Sequence, residues 1–176
     1  MSKIWVTSDT HFNHVNILRY CPNRKFASLE AMNESIVADW NAKVALDDVV
    51  YFLGDFAMGP KDKHMKFLTR LNGYIKIIPG NHDSFLKKQA ELGQLPASVT
   101  MLPPIFNLKH GHTYFVLCHF PLDEWEGMAG HSSDHISGSI HLHGHTHGNL
   151  KTQRKDRWDI GYDVFGGPVL LDRFVP

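Results

Sequence analysis

The chain has only two cysteines, Cys21 and Cys118, among 176 residues. That is too few for a disulfide framework and is compatible with reduced thiols. Long hydrophobic runs are missing too: the longest, residues 49–53 and 114–118, fall far short of the ~20 residues a membrane span needs. Net charge is absent, because 18 basic residues balance 18 acidic ones. No overall field therefore draws the chain to nucleic acid or an anionic membrane, although a local patch can still do so. The first eleven residues hold one lysine and then polar residues where a secretory signal would place its apolar stretch, so a cytoplasmic location is expected. No internal repeat or low-complexity tract stands out. What these exclusions leave is an ordinary globular chain, 43% hydrophobic and 20% charged, of a length that suits one domain over residues 1–176.

Hydrophobic periodicity predicts the framework. Residues 4–8, 49–53 and 74–78 are short runs with β-branched and aromatic side chains, suited to buried strands. Between the first two, Leu29, Met32, Ile36 and Trp40 recur at steps of three and four behind Ser28, the pattern of a capped amphipathic helix over residues 28–43. Gly59-Pro60 introduces a second helix with Met65, Leu68 and Leu71 on one face, closed by Asn72-Gly73, and a third helix is predicted over residues 84–92. Strand–helix alternation of this kind builds a parallel sheet. The second half is strand-rich. Residues 105–109 and 113–118 flank His110-Gly111 as a hairpin, and strands are expected at 140–142, 158–161 and 169–171. Residues 120–139 form a long Gly-, Ser- and His-rich connection, a length that suits a functional loop, with Trp125 as its expected anchor.

What the chain has in excess is histidine, thirteen of them, and histidine is the commonest metal ligand. The polar clusters fall at predicted strand ends, where α/β sheets collect their ligands. Asp9-Thr10-His11 follows the first strand, Gly54-Asp55 the second, and Gly80-Asn81-His82-Asp83 the third. Cys118-His119 closes the hairpin strand, and a tract running from His141 through His143, His145 and His147 follows the next. Singly, each has a bland explanation: Asp9 or Asp55 as a turn or cap residue, Asn81 as a turn residue beside Gly80, His119 as a hydrogen-bonded core histidine. Jointly they do not, because five clusters of ligand-type residues at five strand ends share no purely structural cause. The i, i+2 spacing of the histidine tract also aims its side chains to one side of an extended backbone.

This ordered set, D-x-H, G-D, G-N-H-[DE], H and G-H-x-H, resembles the signature of the calcineurin-like metallophosphoesterases. The match runs from Asp9 to His147, and the flanking Ser8 to His14 and His119 to Leu122 look like the small uncapped bacterial and phage members. The resemblance implies an α/β fold of two packed mixed β-sheets flanked by helices. It implies that Asp9, His11, Asp55 and His147 hold one metal and that Asp55, Asn81, His119 and His145 hold the other, with Asp55 bridging. By the same resemblance His82 touches the substrate and Asp83 orients it.

Carboxylate, amide and imidazole ligands without thiolate suit two divalent ions, manganese first, with iron, nickel, cobalt or zinc as alternatives. Cys118 adds no thiolate, since neighbours along a strand point to opposite faces. Two metals ~3.5–4 Å apart activate a bridging water for in-line displacement of a phosphate ester, and a histidine can protonate the departing oxygen. The substrate is expected to be a small phosphate ester or nucleotide, recognised by Asn13, His14 and the segment up to Lys25 and by residues 120–139; Arg24 and Trp125 are the named candidates there. Arg19, Arg24 and Lys25 could grip a second phosphate, or could equally be charges on a solvated loop. Lys151, Arg154, Lys155 and Arg157 are the densest basic cluster, modest support for nucleic acid. A metal-dependent nuclease would share the site but add a groove of interleaved basic and aromatic residues, which the sequence does not display. A non-catalytic binding module would have lost ligands, and here all are present.

Overall fold

The computed structural model describes residues 2–128, 138–152 and 154–176. In chain order the elements are β1 (Ile4–Thr7), α1 (Ile17–Tyr20), α2 (Leu29–Lys43), β2 (Val49–Phe52), α3 (Lys61–Leu68), β3 (Tyr74–Ile77), α4 (Ser84–Glu91) and β4 (Val99–Met101). They continue with β5 (Ile105–His110), β6 (Thr113–Cys118), β7 (Ile140–His143), β8 (Arg157–Asp159), α5 (Tyr162–Phe165), β9 (Val169–Leu170) and a 3-10 turn, Leu171–Phe174. Two mixed sheets result, ordered β4-β3-β2-β1-β9 and β5-β6-β7-β8. The strands β1 to β4 run parallel and β9 returns antiparallel beside β1. In the second sheet only the β5–β6 hairpin is antiparallel.

Alternation along the strands builds two cores. Trp5, Val50, Phe52, Ile75 and Ile77 face the helices and pack with Met32, Ile36 and Trp40 of α2. Their neighbours Val6, Tyr51, Leu53 and Ile78 face the other way and meet Phe115, Leu117 and Leu142 of the second sheet. The central sheet is thus buried on both faces, which is why its strands read as unbroken apolar runs. Ser28 caps α2 as expected, its hydroxyl accepting the Ala31 N–H at 3.1 Å.

Four elements were not anticipated: β4, α1, α5 and the 3-10 turn Leu171–Phe174. β4 is three residues long and ends against Pro103-Pro104, too short for a periodic signal. α1 and α5 are single turns whose position is set by the site they border. β9 was expected as a strand, but nothing in its sequence says that it rejoins the first sheet.

Candidate metal centre

Parallel pairing brings the ends of β1, β2 and β3 to one edge, and the loops beyond them stay bonded to each other. The N–H groups of Asp9, His11 and Phe12 donate to the carbonyls of Gly54, Asp55 and Phe56 at 2.9, 3.1 and 2.8 Å. The second sheet delivers its own ends to the same place, since the Gly144 N–H donates to the His119 carbonyl at 2.9 Å. Close approach demands glycine. A Cβ on Gly144 would overlap the Ser8 hydroxyl and the Asp9 carboxylate, and one on Gly54 would overlap the Gly80 backbone. Six described non-glycine residues have positive φ: Asp9, His11, Asn13, Asp55, His145 and His147, between 48° and 66°. All six belong to the predicted site. The left-handed region costs an L-residue about 1–2 kcal/mol, and such strain concentrates where side chains must be aimed for function.

Three clusters of potential ligand atoms form among the described residues, Asp9 with His11 and His147, Asp55 with His119 and His145, and Cys21 with His147 and Asp163, each set lying within 4.8 Å of one another; the first two hold the residues expected from the sequence. Asp55 stands between these two. Its Oδ2 is 3.7 Å from His11 Nε2, 3.5 Å from His119 Nε2 and 3.9 Å from His82 Nε2. Asp9 Oδ1 is 3.7 Å from His11 Nε2 and 3.9 Å from His147 Nε2. These spacings match atoms that share an ion through bonds of about 2.0–2.2 Å.

The hydrogen bonding agrees with that use. Asp9 Oδ1 and both ring nitrogens of His11 are buried without a partner, a costly arrangement unless an ion completes it. The other Asp9 oxygen is occupied by the Ser8 hydroxyl and the His145 N–H. His119 Nδ1 lies 2.7 Å from the Leu53 carbonyl and must donate to it, so in the neutral ring the lone pair sits on Nε2. That lone pair faces two further acceptors, Asn81 Oδ1 at 3.1 Å and Asp55 Oδ2. Facing lone pairs call for a cation. The residues present therefore fit divalent metal.

Behind the first cluster lies a brace that the sequence did not reveal. The His147 Nδ1–H donates to Asp163 Oδ2 at 2.6 Å, and Arg24 grips the same carboxylate with Nε and Nη2, both at 2.8 Å. Arg24 also donates to the Thr10 and Asp9 carbonyls and is buried. Burial favours the neutral form of both ionisable partners, yet Arg24 and His147 hold the Asp163 carboxyl well below its usual range. Burial likewise depresses His147, but Asp163 and Asp9 outweigh it and leave the imidazole more basic than usual. Asp163 is 139 residues from Arg24, and no local pattern announces such a pair.

The remaining expected residues divide. His82 lies at the mouth, its side chain 37% exposed. Asp83, expected to orient the substrate-side His82, makes no hydrogen bond to the His82 ring among the described residues. Its carboxylate accepts the N–H groups of Asp55, Phe56 and Gly80 at 2.7, 3.0 and 2.8 Å, so it holds the two loops that carry Asp55 and Asn81. His14 lines the same hollow of about 360 Å³ as His11, Asp55, His82, His145 and His147. Burial, then the His11 and His82 rings, push its imidazole down to about 4. Asn13 braces the loop, its N–H donating to Asn33 Oδ1 of α2 at 2.9 Å. Arg24, expected against substrate, has its donors committed to Asp163 and two carbonyls instead. Trp125 anchors the connection: its indole N–H donates to the Ser139 carbonyl at 3.2 Å and its ring packs on His141, away from the hollow. Residues 129–137 of that connection lie outside the described residues, so only its two ends are placed. Phe120, not singled out from the sequence, puts its ring 4.7 Å from that of His145.

A sequence profile of the calcineurin-like phosphoesterases matches residues 2–165, and the chain belongs to that family. An uncharacterized protein of Methanocaldococcus jannaschii is 48% identical over 90 residues, 50% of this chain and 51% of that protein, so the chain spans about half the length of that relative. The Gene 66 proteins of Mycobacterium phages L5 and D29 are 26% and 28% identical over 98% of the chain and 92% and 94% of their own lengths. A protein of unknown function from Aquifex aeolicus shares the fold, with a TM-score of 0.70 over 98% of this chain and 97% of its own at 18% identity. No described helix is long and apolar enough to cross a membrane.

Proposed function

We propose that the chain hydrolyses phosphate mono- or diesters at a pair of divalent ions. Asp9, His11, Asp55 and His147 hold one, and Asp55, Asn81, His119 and His145 the other. One observation carries this reading: Asp55 Oδ2 stands 3.7 Å from His11 Nε2 and 3.5 Å from His119 Nε2, between two ligand clusters, in the first of which Asp9 Oδ1 and both His11 ring nitrogens are buried without a partner. When bound, such a pair supplies an activated water and neutralises phosphoryl charge. Manganese suits this oxygen- and imidazole-rich set, and iron, nickel, cobalt and zinc suit it next.

The chain's own residues supply the rest. His82 stands at the mouth within reach of a bound ester, where it donates a proton to the departing oxygen or positions the phosphate. Asp83 fixes the loops beneath it. The one thiol in the wall of the hollow, Cys21, is pushed up to about 11 by burial and by Asp163, so it stays protonated at neutral pH and serves no nucleophilic role. The test is elemental analysis after manganese saturation, combined with hydrolysis of p-nitrophenyl phosphate and its bis ester. Two ions per chain with turnover of either ester is the expected result. One ion, or two ions with neither ester hydrolysed, would overturn the reading.

A further inference from the structure

We infer that the wall formed by residues 149–152 together with Lys155 is a subsite for a second phosphate group. This rests on the phosphoesterase reading and sharpens its substrate class to esters that carry a phosphate beyond the scissile one. The metal hollow does not end at its ligands. His145 and Asn149 also line an adjoining hollow of about 480 Å³ with Lys151. Leu150 and Thr152 in turn line a third, of about 520 Å³, with Arg154, Lys155 and Trp158. The shared walls set these hollows side by side, from the ligand cluster to a basic surface.

The basic cluster divides once its partners are known. Arg154 is paired with Asp156 at 2.9 and 3.0 Å, and Arg157 with Asp123 at 3.0 Å, so neither guanidinium is free. Lys151 and Lys155 are exposed and have no carboxylate partner among the described residues. Two unpaired ammonium groups therefore remain along these hollows, the third of which presents the half-exposed indole of Trp158. Their distance from the chemistry is bounded, because Lys151 follows the ligand His147 by four residues and its Cα lies at most about 14 Å away. The intervening backbone is fixed to the site: Asp159 Oδ2 accepts the Thr146 hydroxyl at 2.6 Å and the Gly148 N–H at 2.8 Å, and the Asn149 N–H donates to the Thr146 carbonyl. A phosphate at the metals and a second phosphate beside Lys151 fit one short polyanion.

The test compares K151A/K155A with the unchanged protein, both manganese-loaded, on paired esters. Bis(p-nitrophenyl) phosphate carries one phosphate and should be hydrolysed equally by both. Adenosine 3′,5′-bisphosphate against adenosine 5′-monophosphate probes a nucleotide-sized source, and pentathymidylate against the thymidine dinucleotide probes a strand. For the member with additional phosphate KM should rise about 3- to 20-fold in the variant, the loss of two exposed ion pairs, while its partner is unchanged. A change confined to the bisphosphate or to the pentamer supports the subsite and identifies its source. No change in any pair, or an equal change in both members, overturns it. Binding of a dye-labelled pentathymidylate to the metal-free proteins reads the subsite without turnover: the slope of log Kd against log salt should fall by about 1.4 for two lost contacts on a single strand. An unchanged slope overturns the subsite, whereas failure of the unchanged protein on every ester overturns the phosphoesterase reading alone.

Discussion

The two halves of the candidate metal centre are built differently. Asp9, His11 and His147 sit in a closed half: the first two are buried, and the third is tied through Asp163 to the buried Arg24. Asp55, Asn81, His119 and His145 form an open half. There His119 is fixed by one backbone carbonyl, while His145 is exposed and its ring, packed against those of His119 and Phe120, makes no hydrogen bond among the described residues. A carboxylate behind a ligating imidazole fixes its tautomer and raises its basicity, so the closed half is prepared to hold an ion tightly. The open half lacks that bracing and keeps access to solvent through the exposed Asn81 and His145. Asp9 links the two, since one of its oxygens faces His11 and His147 while the other accepts the His145 N–H.

Substitutions can break this contrast in order of severity. Asp55→Ala removes the one carboxylate common to both halves and should empty both sites. Turnover should fall by about 10³–10⁴, the several kcal/mol that metal ions contribute. Retention of both ions on elemental analysis would refute a shared Asp55. His82→Ala should keep both ions and slow turnover by about 10²–10⁴, the contribution of a general acid. A p-nitrophenyl leaving group needs little protonation, so the defect should be smaller there than on an alkyl ester. Equal losses on the two would assign His82 to positioning the phosphate.

Asp163→Asn sharpens the contrast further. Loss of its charge weakens the brace on His147, and metal affinity should drop about 10-fold, the lower end for an outer hydrogen-bonding partner, in the closed half only. Calorimetric titration should resolve one weakened and one unchanged binding event. Two equally weakened events would show that the halves are not independent.

The smallest effect is expected far from the metals. Asp48 accepts the Lys3 and Ala45 N–H groups and the Trp5 indole N–H at 2.7, 3.0 and 2.8 Å. Those backbone N–H groups first, then the indole, hold its carboxyl below the ordinary value. A depressed carboxyl stabilises the fold fully above its unfolded pKa, about 3.9, and the contribution disappears as pH falls through the lower folded value. Asp48→Ala should therefore cost about 1–3 kcal/mol at neutral pH and flatten the acid limb of the stability curve, measured by urea unfolding, without altering metal content. A change in metal content would mean that the β1–β2 ladder transmits strain to the site.

How much was legible depended on the range of each interaction. Candidate ligand types, their order and their places at strand ends were visible because strand, turn and helix signals are local: Asp9, Asp55 and Asn81 each lie just beyond an apolar run. The capped helix α2 was visible for the same reason. Arg24 misled because its residue type suggested a phosphate contact, whereas its buried partners come from Thr10 and the distant Asp163. The resemblance gave Asp83 a role beside His82, whereas the structure shows what no local pattern carries, its carboxylate turned inward to three N–H groups.

By itself, then, the sequence determined the alternation of elements and the chemistry each strand end could bring, since both follow from near-neighbour periodicity and residue type. Tertiary structure alone decided that β9 rejoins the first sheet and that Asp55 stands between two imidazole clusters. It also decided that, of four neighbouring cations, only Lys151 and Lys155 remain unpaired among the described residues. Each of these depends on groups tens of residues apart meeting within a few ångströms, and no local pattern carries the closure of the chain that brings them there.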